Sequence, residues 1–193
     1  MLMLLSFTPF LAFSLLSHFV SADVGLWVGA ALALALVLSD LNRPDGSAKL
    51  LEIGCAVVFC ILAPSRSLIG WPGDATVVRI VANGALMGLA LLSLVARRPF
   101  TLQYAREVAP IRAIEQPAFV SANYAVTAVW AAAFALMLAA NYAAHTHVIA
   151  PLVERLAVGA TIVAAFSFTY WYAMRTRRIL RRRPGAAESQ PSA

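Results

Sequence analysis

The sequence predicts an all-α integral membrane protein, a bundle of about six transmembrane helices with a short interfacial helix between the fourth and the fifth. Of the 193 residues, 61% are hydrophobic and only 12% are charged, and the mean hydropathy is +0.78. Soluble domains carry about 25% charged and about 45–50% apolar residues, so this composition excludes an ordinary soluble domain. The apolar residues also form separate runs, rich in Ala and Leu and without the alternation of β-strands, which is typical of membrane-spanning helices.

Six runs are assigned as helices, because about 20 mostly apolar residues are needed to cross the hydrocarbon core of a bilayer. In chain order they cover residues 2–20, 24–39, 50–63, 80–96, 119–142 and 156–174. Together they make one transmembrane domain over residues 1–174. The third run is short, and whether it spans fully stays open. The first run could be a cleaved signal peptide, but it lacks Lys and Arg and is interrupted by Pro9, so we predict a retained helix.

The distribution of Lys and Arg predicts the orientation of the chain. With a cytoplasmic N-terminus, the cytoplasmic segments hold twelve of the 15 basic residues, and the external loops hold Arg66, Arg79 and Arg155. Because cytoplasmic loops are enriched in Lys and Arg, both termini are predicted to be cytoplasmic. The net charge of +6 is therefore interpreted as a topology signal, and no nucleic-acid partner is expected.

The segment RRPFTLQYAREVAP begins the connector between the fourth and fifth helices, residues 97–115. Phe100, Tyr104, Val108 and Ile111 recur at helical spacing, with polar residues on the other side. The pattern predicts a short amphipathic helix at the membrane interface, with its apolar side towards the lipid and its arginines at headgroup level. A solvated charged loop is the alternative. The candidate interaction residues are Arg97, Arg98, Pro99, Tyr104, Arg106 and Glu107.

Residues 175–193 are predicted to form a basic cytoplasmic tail, and its end, PGAAESQPSA, has the composition of a disordered segment. Tyr170, Trp171 and Tyr172 come just before the tail, where aromatic rings favour the membrane interface. The candidate residues for binding anionic lipids of the inner leaflet are Arg175, Arg177, Arg178, Arg181, Arg182 and Arg183. A plain stop-transfer anchor is the alternative interpretation.

Catalytic and metal-binding patterns are lacking in the sequence, and we predict a protein that is not an enzyme and has no cofactor. Glu52, Arg79 and His18 fall near the ends of runs, where water can reach them, so they do not form an evident proton relay. His145 and His147 form an H-x-H pair in an external loop, but a zinc site needs three or four ligands.

Uncharged polar residues within the runs have two possible roles. Asn83, Asn123 and Thr127 can hydrogen-bond between helices, or they can line a polar cavity near helices four and five. Trp130 is expected to fix the fifth helix against the bundle.

Two pairs of glycines spaced four residues apart form small-residue faces on the second and fourth runs. The pairs are Gly25 with Gly29, and Gly84 with Gly88. Such faces let helices approach closely, either within one bundle or between two copies, so a homo-oligomer is left open.

Parts of the sequence resemble the intracellular septation protein A family, also called YciB or IspZ. That family opens with an aromatic–x–Pro–aliphatic or aromatic pattern, matched by Phe7, Pro9, Phe10 and Phe13. The middle of the chain is similar in a basic pair with proline, a glutamate and a proline, and then an aromatic residue, an asparagine and a tryptophan: Arg97, Arg98, Pro99, Glu107, Pro110, Phe119, Asn123 and Trp130. The family often has tryptophan at the position of Phe119 and lysine in the basic pair, so this chain resembles a diverged member.

The resemblance implies a bacterial inner-membrane protein that acts in cell-envelope maintenance, septation or cell-wall synthesis, with division and elongation proteins as partners. The family has no established catalytic residues, and none is carried over. We therefore expect a non-enzymatic scaffold or lipid-organising bundle. The alternatives are a small transporter or lipid-handling protein with a polar cavity, and a membrane enzyme that uses His145 and His147.

Overall fold

The computed structural model describes residues 7–42, 49–71, 73–114 and 116–182. The regular structure of these residues is helical, which confirms the predicted all-α class. The elements are α1 (Thr8–Phe19), α2 (Ala22–Leu41), α3 (Leu50–Pro64) with a π-helical turn (Ser65–Ile69), α4 (Ala75–Val95), α5 (Phe100–Val108), α6 (Ile111–Ile114), α7 (Pro117–His145) and α8 (Pro151–Arg182).

Five helices in the described part of the chain are long and apolar enough to cross a membrane, against the six that were predicted. They cover Ala22–Leu41, Leu50–Ile69, Ala75–Val95, Pro117–His145 and Pro151–Thr176. The exception is α1, whose 12 residues span about 18 Å, less than the roughly 30 Å of the hydrocarbon core. The start of the first predicted run, residues 1–6, lies outside the described residues.

The third predicted run is longer than the sequence indicated. Pro64 lies inside the helix and has no N–H to donate, so the regular ladder is interrupted there. The chain continues through the π-helical turn Ser65–Ile69 and ends at Gly70, which has a φ of 73°. With this turn the span reaches 20 residues, enough for a crossing.

The last helix, α8, also exceeds its prediction. The tail was expected to begin at residue 175, whereas the helix continues to Arg182. The guanidinium of Arg175 lies 5.5 Å from the ring centre of Trp171, so Arg175 makes a cation–π contact with this ring. The helical backbone includes Arg177, Arg178, Arg181 and Arg182. Arg183 and the predicted disordered end lie outside the described residues.

An aromatic cluster fills the centre of the bundle. Trp130 of α7 is fully buried, stacks on Phe7 with ring centres 4.2 Å apart, and meets the edge of Phe166 at 4.9 Å. The first segment supplies three of the buried rings, those of Phe7, Phe10 and Phe13. The principal members of this cluster are Phe7, Phe10, Phe13, Phe59, Trp130 and Phe134.

Gly25 and Gly29 allow α2 to approach its neighbours, as their spacing predicted. A Cβ on Gly25 would lie 3.0 Å from the Ser17 nitrogen and 3.1 Å from the Phe13 oxygen of α1. A Cβ on Gly29 would lie 3.1 Å from the ring of Phe59. These glycines therefore serve packing within one bundle.

Alanine at Gly25 is expected to destabilise the protein by about 1–3 kcal/mol, because the backbone of α1 would have to move. Gly88 is the matched control, since an added Cβ there meets no atom within 4 Å. Gly88→Ala should raise stability by up to about 1 kcal/mol, because alanine favours helices. Denaturant unfolding in detergent micelles measures both; equal effects of the two substitutions would contradict the close approach of α1 and α2.

Candidate functional site

The connector between α4 and α7 is helical, and its apolar side packs on the bundle. Phe100 and Tyr104 are 0% and 1% exposed, and the ring of Phe100 lies 6.1 Å from that of Phe7. The expectation that these side chains face lipid is therefore wrong, as is a solvated loop over the residues of α5. In the same pattern Ile111 is 79% exposed, and the side chain of Val108 lies outside the described residues.

The turn into the connector is a Schellman helix end formed around Arg97. Arg97 has a φ of 56°, its N–H donates to the Leu94 oxygen at 3.0 Å, and the N–H of Arg98 donates to the Ser93 oxygen at 2.9 Å. Glycine is the usual residue at this left-handed position. The side chains of Arg97 and Arg98 are exposed, while Pro99 is buried.

Ser93 is a buried residue at this turn that sequence reasoning did not identify. Its hydroxyl donates to the Ala90 oxygen at 2.7 Å and accepts a hydrogen bond from the Phe100 N–H at 3.3 Å. One side chain thus connects the last turn of α4 to the first residue of α5 and sets the direction of the connector.

Lys49 lies at the centre of a buried ion cluster that joins α2, α3 and α5. Its ammonium pairs with Asp40 and lies 3.1 Å from Glu107 Oε1 and 3.7 Å from Glu52 Oε1. Burial opposes the charge on Lys49, but the bonds to Asp40 and Glu107 outweigh it and raise the pKa of Lys49. The ammonium also lies 5.4 Å from the ring centre of Tyr104. We call this set of residues the Lys49 cluster.

Hydrogen bonds also attach α5 to α3 and to α7. Gln103 Oε1 accepts from the N–H of Leu50 at 2.8 Å and so caps the beginning of α3. The hydroxyl of Thr101 donates to the Asn123 oxygen of α7 at 2.9 Å and lies 2.7 Å from the hydroxyl of Thr127. Together with the Lys49 cluster, these contacts hold α5 in one position on the bundle.

The three polar residues proposed for a cavity do not lie together. Arg79 bonds to Asn141 and Gly84 faces Leu138, so α4 and α7 run antiparallel. Asn83 is therefore level with Leu138, whereas Asn123 lies fifteen residues before Leu138, about 22 Å along the helix. The structure brings Asn123 and Thr127 together near α5 and leaves Asn83 in the middle of α4, one turn from Arg79, which lies nearer the other end of the bundle.

A second buried polar cluster lies at that other end and joins α1, α4, α7 and α8. Nε2 of His18 lies 2.9 Å from Glu154 Oε1, and the Arg79 Nε lies 3.4 Å from the same oxygen. The Arg79 Nε also donates to Asn141 Oδ1 at 3.1 Å, and Asn83 Nδ2 donates to the Arg79 oxygen at 3.0 Å. The His18 and Glu154 side chains are 7% and 2% exposed. We call this set of residues the Glu154 cluster.

Two further polar contacts lie at the same end as the Glu154 cluster. Asp74 accepts from the N–H of Thr76 at 2.8 Å and lies 3.1 Å from His145 Nδ1, and these interactions lower the pKa of Asp74. Arg66 Nε donates to Asp23 at 2.8 Å. His147 is exposed, and among the described residues no group of three or more His, Cys, Asp or Glu side chains could hold a metal ion.

Sequence reasoning treated His18, Arg79 and Glu52 as separate residues near helix ends. The signal that was available is topological: the predicted crossings put His18, Arg79 and Glu154 at one end of the bundle, and Glu52 and Glu107 at the other. Apolar helices that carry opposite charges at the same depth tend to pair them, since an unpaired charge at membrane depth is costly.

The fold and its two clusters define the protein as a multi-pass α-helical membrane bundle, with charged side chains buried at both ends. No protein-family model, curated protein or solved structure matches the chain.

Proposed function

We propose that the protein is a non-enzymatic component of the bacterial inner membrane that presents a fixed basic surface to anionic lipid headgroups at its cytoplasmic end. The observation that carries the proposal is the position of α5. Contacts with α3 and α7 hold this helix on the bundle, while Arg97, Arg98 and Arg106 at the same end remain exposed. Because the helix is held by protein contacts, these arginines are presented in a defined arrangement.

The charges at the two ends of the bundle support this orientation. Among the described side chains at the connector end, Arg97, Arg98, Arg106 and Arg175 are exposed. At the opposite end Arg66 and Arg79 are paired with carboxylates, and Arg155 is exposed. An excess of free positive charge favours the cytoplasmic side, where anionic lipids attract each Lys or Arg by about 1 kcal/mol.

The backbone at Arg97 gives independent support. A residue other than glycine in the left-handed region costs roughly 1–2 kcal/mol, and a glycine would avoid this cost. Arg97 occupies the position with a φ of 56°. A basic side chain at a strained turn is expected where the charge contributes to function.

Arg97→Gly is therefore expected to raise the free energy of unfolding by about 1 kcal/mol and yet to weaken binding of phosphatidylglycerol about fivefold. Arg98→Ala should weaken lipid binding similarly and leave stability unchanged. Native mass spectrometry of the detergent-purified protein measures lipid retention, and denaturant unfolding measures stability.

The matched control is Arg155→Ala, which removes one exposed arginine from the opposite end. If Arg97→Gly and Arg98→Ala retain as much phosphatidylglycerol as this control, the proposed lipid-binding surface is incorrect.

A role in septation or cell-wall synthesis is the narrower part of the proposal, and it rests on the family resemblance alone. Partner capture tests it: the protein is purified gently from its own membrane beside the Arg98→Ala/Arg106→Ala variant. Division or wall-synthesis proteins that are present with the native protein and lost from the variant are the expected result. If the native protein co-purifies with lipid and with no division or wall-synthesis protein, the proposed septation role is incorrect, whereas the proposed lipid-binding surface is unaffected.

The transporter alternative receives less support. The aromatic cluster fills the centre of the bundle between the Lys49 cluster and the Glu154 cluster, and Asn83 is separated from Asn123 and Thr127. The enzyme alternative uses His145 and His147; both are exposed, and His145 Nδ1 lies 3.1 Å from Asp74.

A further inference from the structure

Both ring nitrogens of His18 face hydrogen-bond acceptors. Nδ1 lies 2.7 Å from the backbone oxygen of Ser14, and Nε2 lies 2.9 Å from Glu154 Oε1. A neutral imidazole has a single N–H, so it can satisfy one of these acceptors and leaves a lone pair against the other. One additional proton resolves the conflict, either on the imidazole or on the carboxyl group.

We propose that the His18–Glu154 pair is a proton-binding site that joins α1 to α8. The site is built from buried groups, since the two side chains are 7% and 2% exposed, so water does not fill the place of the missing hydrogen bond. A buried acceptor facing a lone pair would be strongly unfavourable, and the bound proton removes that repulsion.

The surroundings decide where the proton lies. Arg79 Nε is 3.4 Å from Glu154 Oε1 and favours the ionised carboxylate, so the proton belongs to the His18 imidazolium. The hydroxyl of Ser17 is 3.5 Å from Nδ1 and does not replace the bond to Ser14. Other charged or titratable groups among the described residues at this end are Asp23, Arg66, Asp74, Tyr142, His145, His147 and Arg155.

Proton binding is thereby linked to the contact between α1 and α8. When the proton leaves for the solvent, His18 becomes neutral, and one of its two hydrogen bonds is lost. By reciprocity, a movement that draws α1 away from α8 lowers the affinity of the site for the proton. In the orientation proposed above, the site is at the external end, so it responds to the external proton concentration.

Nuclear magnetic resonance tests the site directly. The chain has three histidines, so the His145→Gln/His147→Gln variant leaves His18 as the only one. The variant is labelled with ¹⁵N-histidine and ¹³C-glutamate and studied in lipid nanodiscs at neutral pH. The carboxyl carbon of Glu154 is identified by its dipolar coupling to Nε2.

The expected spectrum shows hydrogen on both ring nitrogens of His18 and an ionised Glu154. A neutral imidazole beside a protonated Glu154 would also support the site, with the proton placed on the other partner. A neutral imidazole beside an ionised Glu154 would overturn the proposal.

Glu154→Gln in the same background is the matched variant, because its amide can donate to Nε2 and no extra proton is needed. We expect a neutral His18 with hydrogen on Nδ1 alone. An imidazolium that persists in this variant would overturn the proposal, because the proton would then be bound without the carboxylate of Glu154. If the Glu154→Gln variant fails to fold, the spectrum of the protein that retains Glu154 decides whether the site binds a proton. Neither spectrum depends on lipid binding by the connector end.

Discussion

Replacement of Lys49 by methionine is expected to lower the free energy of unfolding by about 3–5 kcal/mol at neutral pH. Lys49 is the cation of a cluster with three carboxylates, and two of these, Asp40 and Glu52, are 6% and 1% exposed. Without the ammonium these buried carboxylates lose the cation that they share, and their negative charges repel each other. Denaturant unfolding in micelles measures the loss.

The pH dependence of this effect has a definite sign. Because the pKa of Lys49 is raised on folding, its pairing stabilises the protein below the unfolded pKa of about 10.4 and is lost as the pH rises through the raised value. The methionine variant should therefore approach the native protein in strong alkali. The stability of the methionine variant should also approach that of the native protein in acid, where the carboxylates of the cluster take up protons.

Glu107→Gln is the control for the same cluster, since the Glu107 side chain is 35% exposed and water compensates its loss. We expect a cost of no more than about 1 kcal/mol. A methionine variant at position 49 as stable as this control at neutral pH would contradict the buried cluster.

Alanine at Trp130 is expected to destabilise the protein by about 3–5 kcal/mol, because it empties the centre of the aromatic cluster. The ring is 0% exposed, and its Nε1 donates to the Thr169 hydroxyl of α8 at 3.1 Å. Its removal takes away contacts with α1, α7 and α8 at once. Thermal unfolding in micelles provides the measurement.

Trp71→Ala is the matched control, because Trp71 is 54% exposed in the loop before α4. Its loss should change stability by less than about 0.5 kcal/mol. Similar losses for Trp71→Ala and Trp130→Ala would show that the aromatic cluster does not hold the helices together.

The membrane helices were predictable because a bilayer imposes length and apolarity on every crossing, and both properties can be counted along the chain. The details at the ends were less accessible. The extension of α3 depends on how the backbone continues after Pro64. The extension of α8 runs through arginines, which are good helix formers but are equally common in disordered basic tails.

The position of the connector shows a clear limit of sequence reasoning. The spacing of Phe100 and Tyr104 predicted a helix with an apolar side, but lipid and a protein core are both apolar, so the pattern cannot tell which of them covers that side. The polar contacts that decide it, from Lys49 to Glu107 and from Leu50 to Gln103, join residues more than fifty positions apart.

The buried clusters were hidden for a related reason. His18 and Glu154 are 136 positions apart, and each is unremarkable in its own segment. Their proximity follows from the packing of α1, α4 and α8, which composition and periodicity do not specify. The sequence indicated this proximity only through the predicted crossings, which place His18 and Glu154 at the same end of the bundle.

Hydrogen exchange of the backbone amides of α5 tests most directly whether the connector is a fixed part of the bundle. The native protein is placed in nanodiscs of phosphatidylcholine alone and in nanodiscs that also contain phosphatidylglycerol. We predict equally slow exchange over residues 100–108 in both, because protein contacts and burial protect the helix. Rapid exchange in phosphatidylcholine, with protection only when phosphatidylglycerol is present, would contradict the fixed basic surface and show a helix held by lipid.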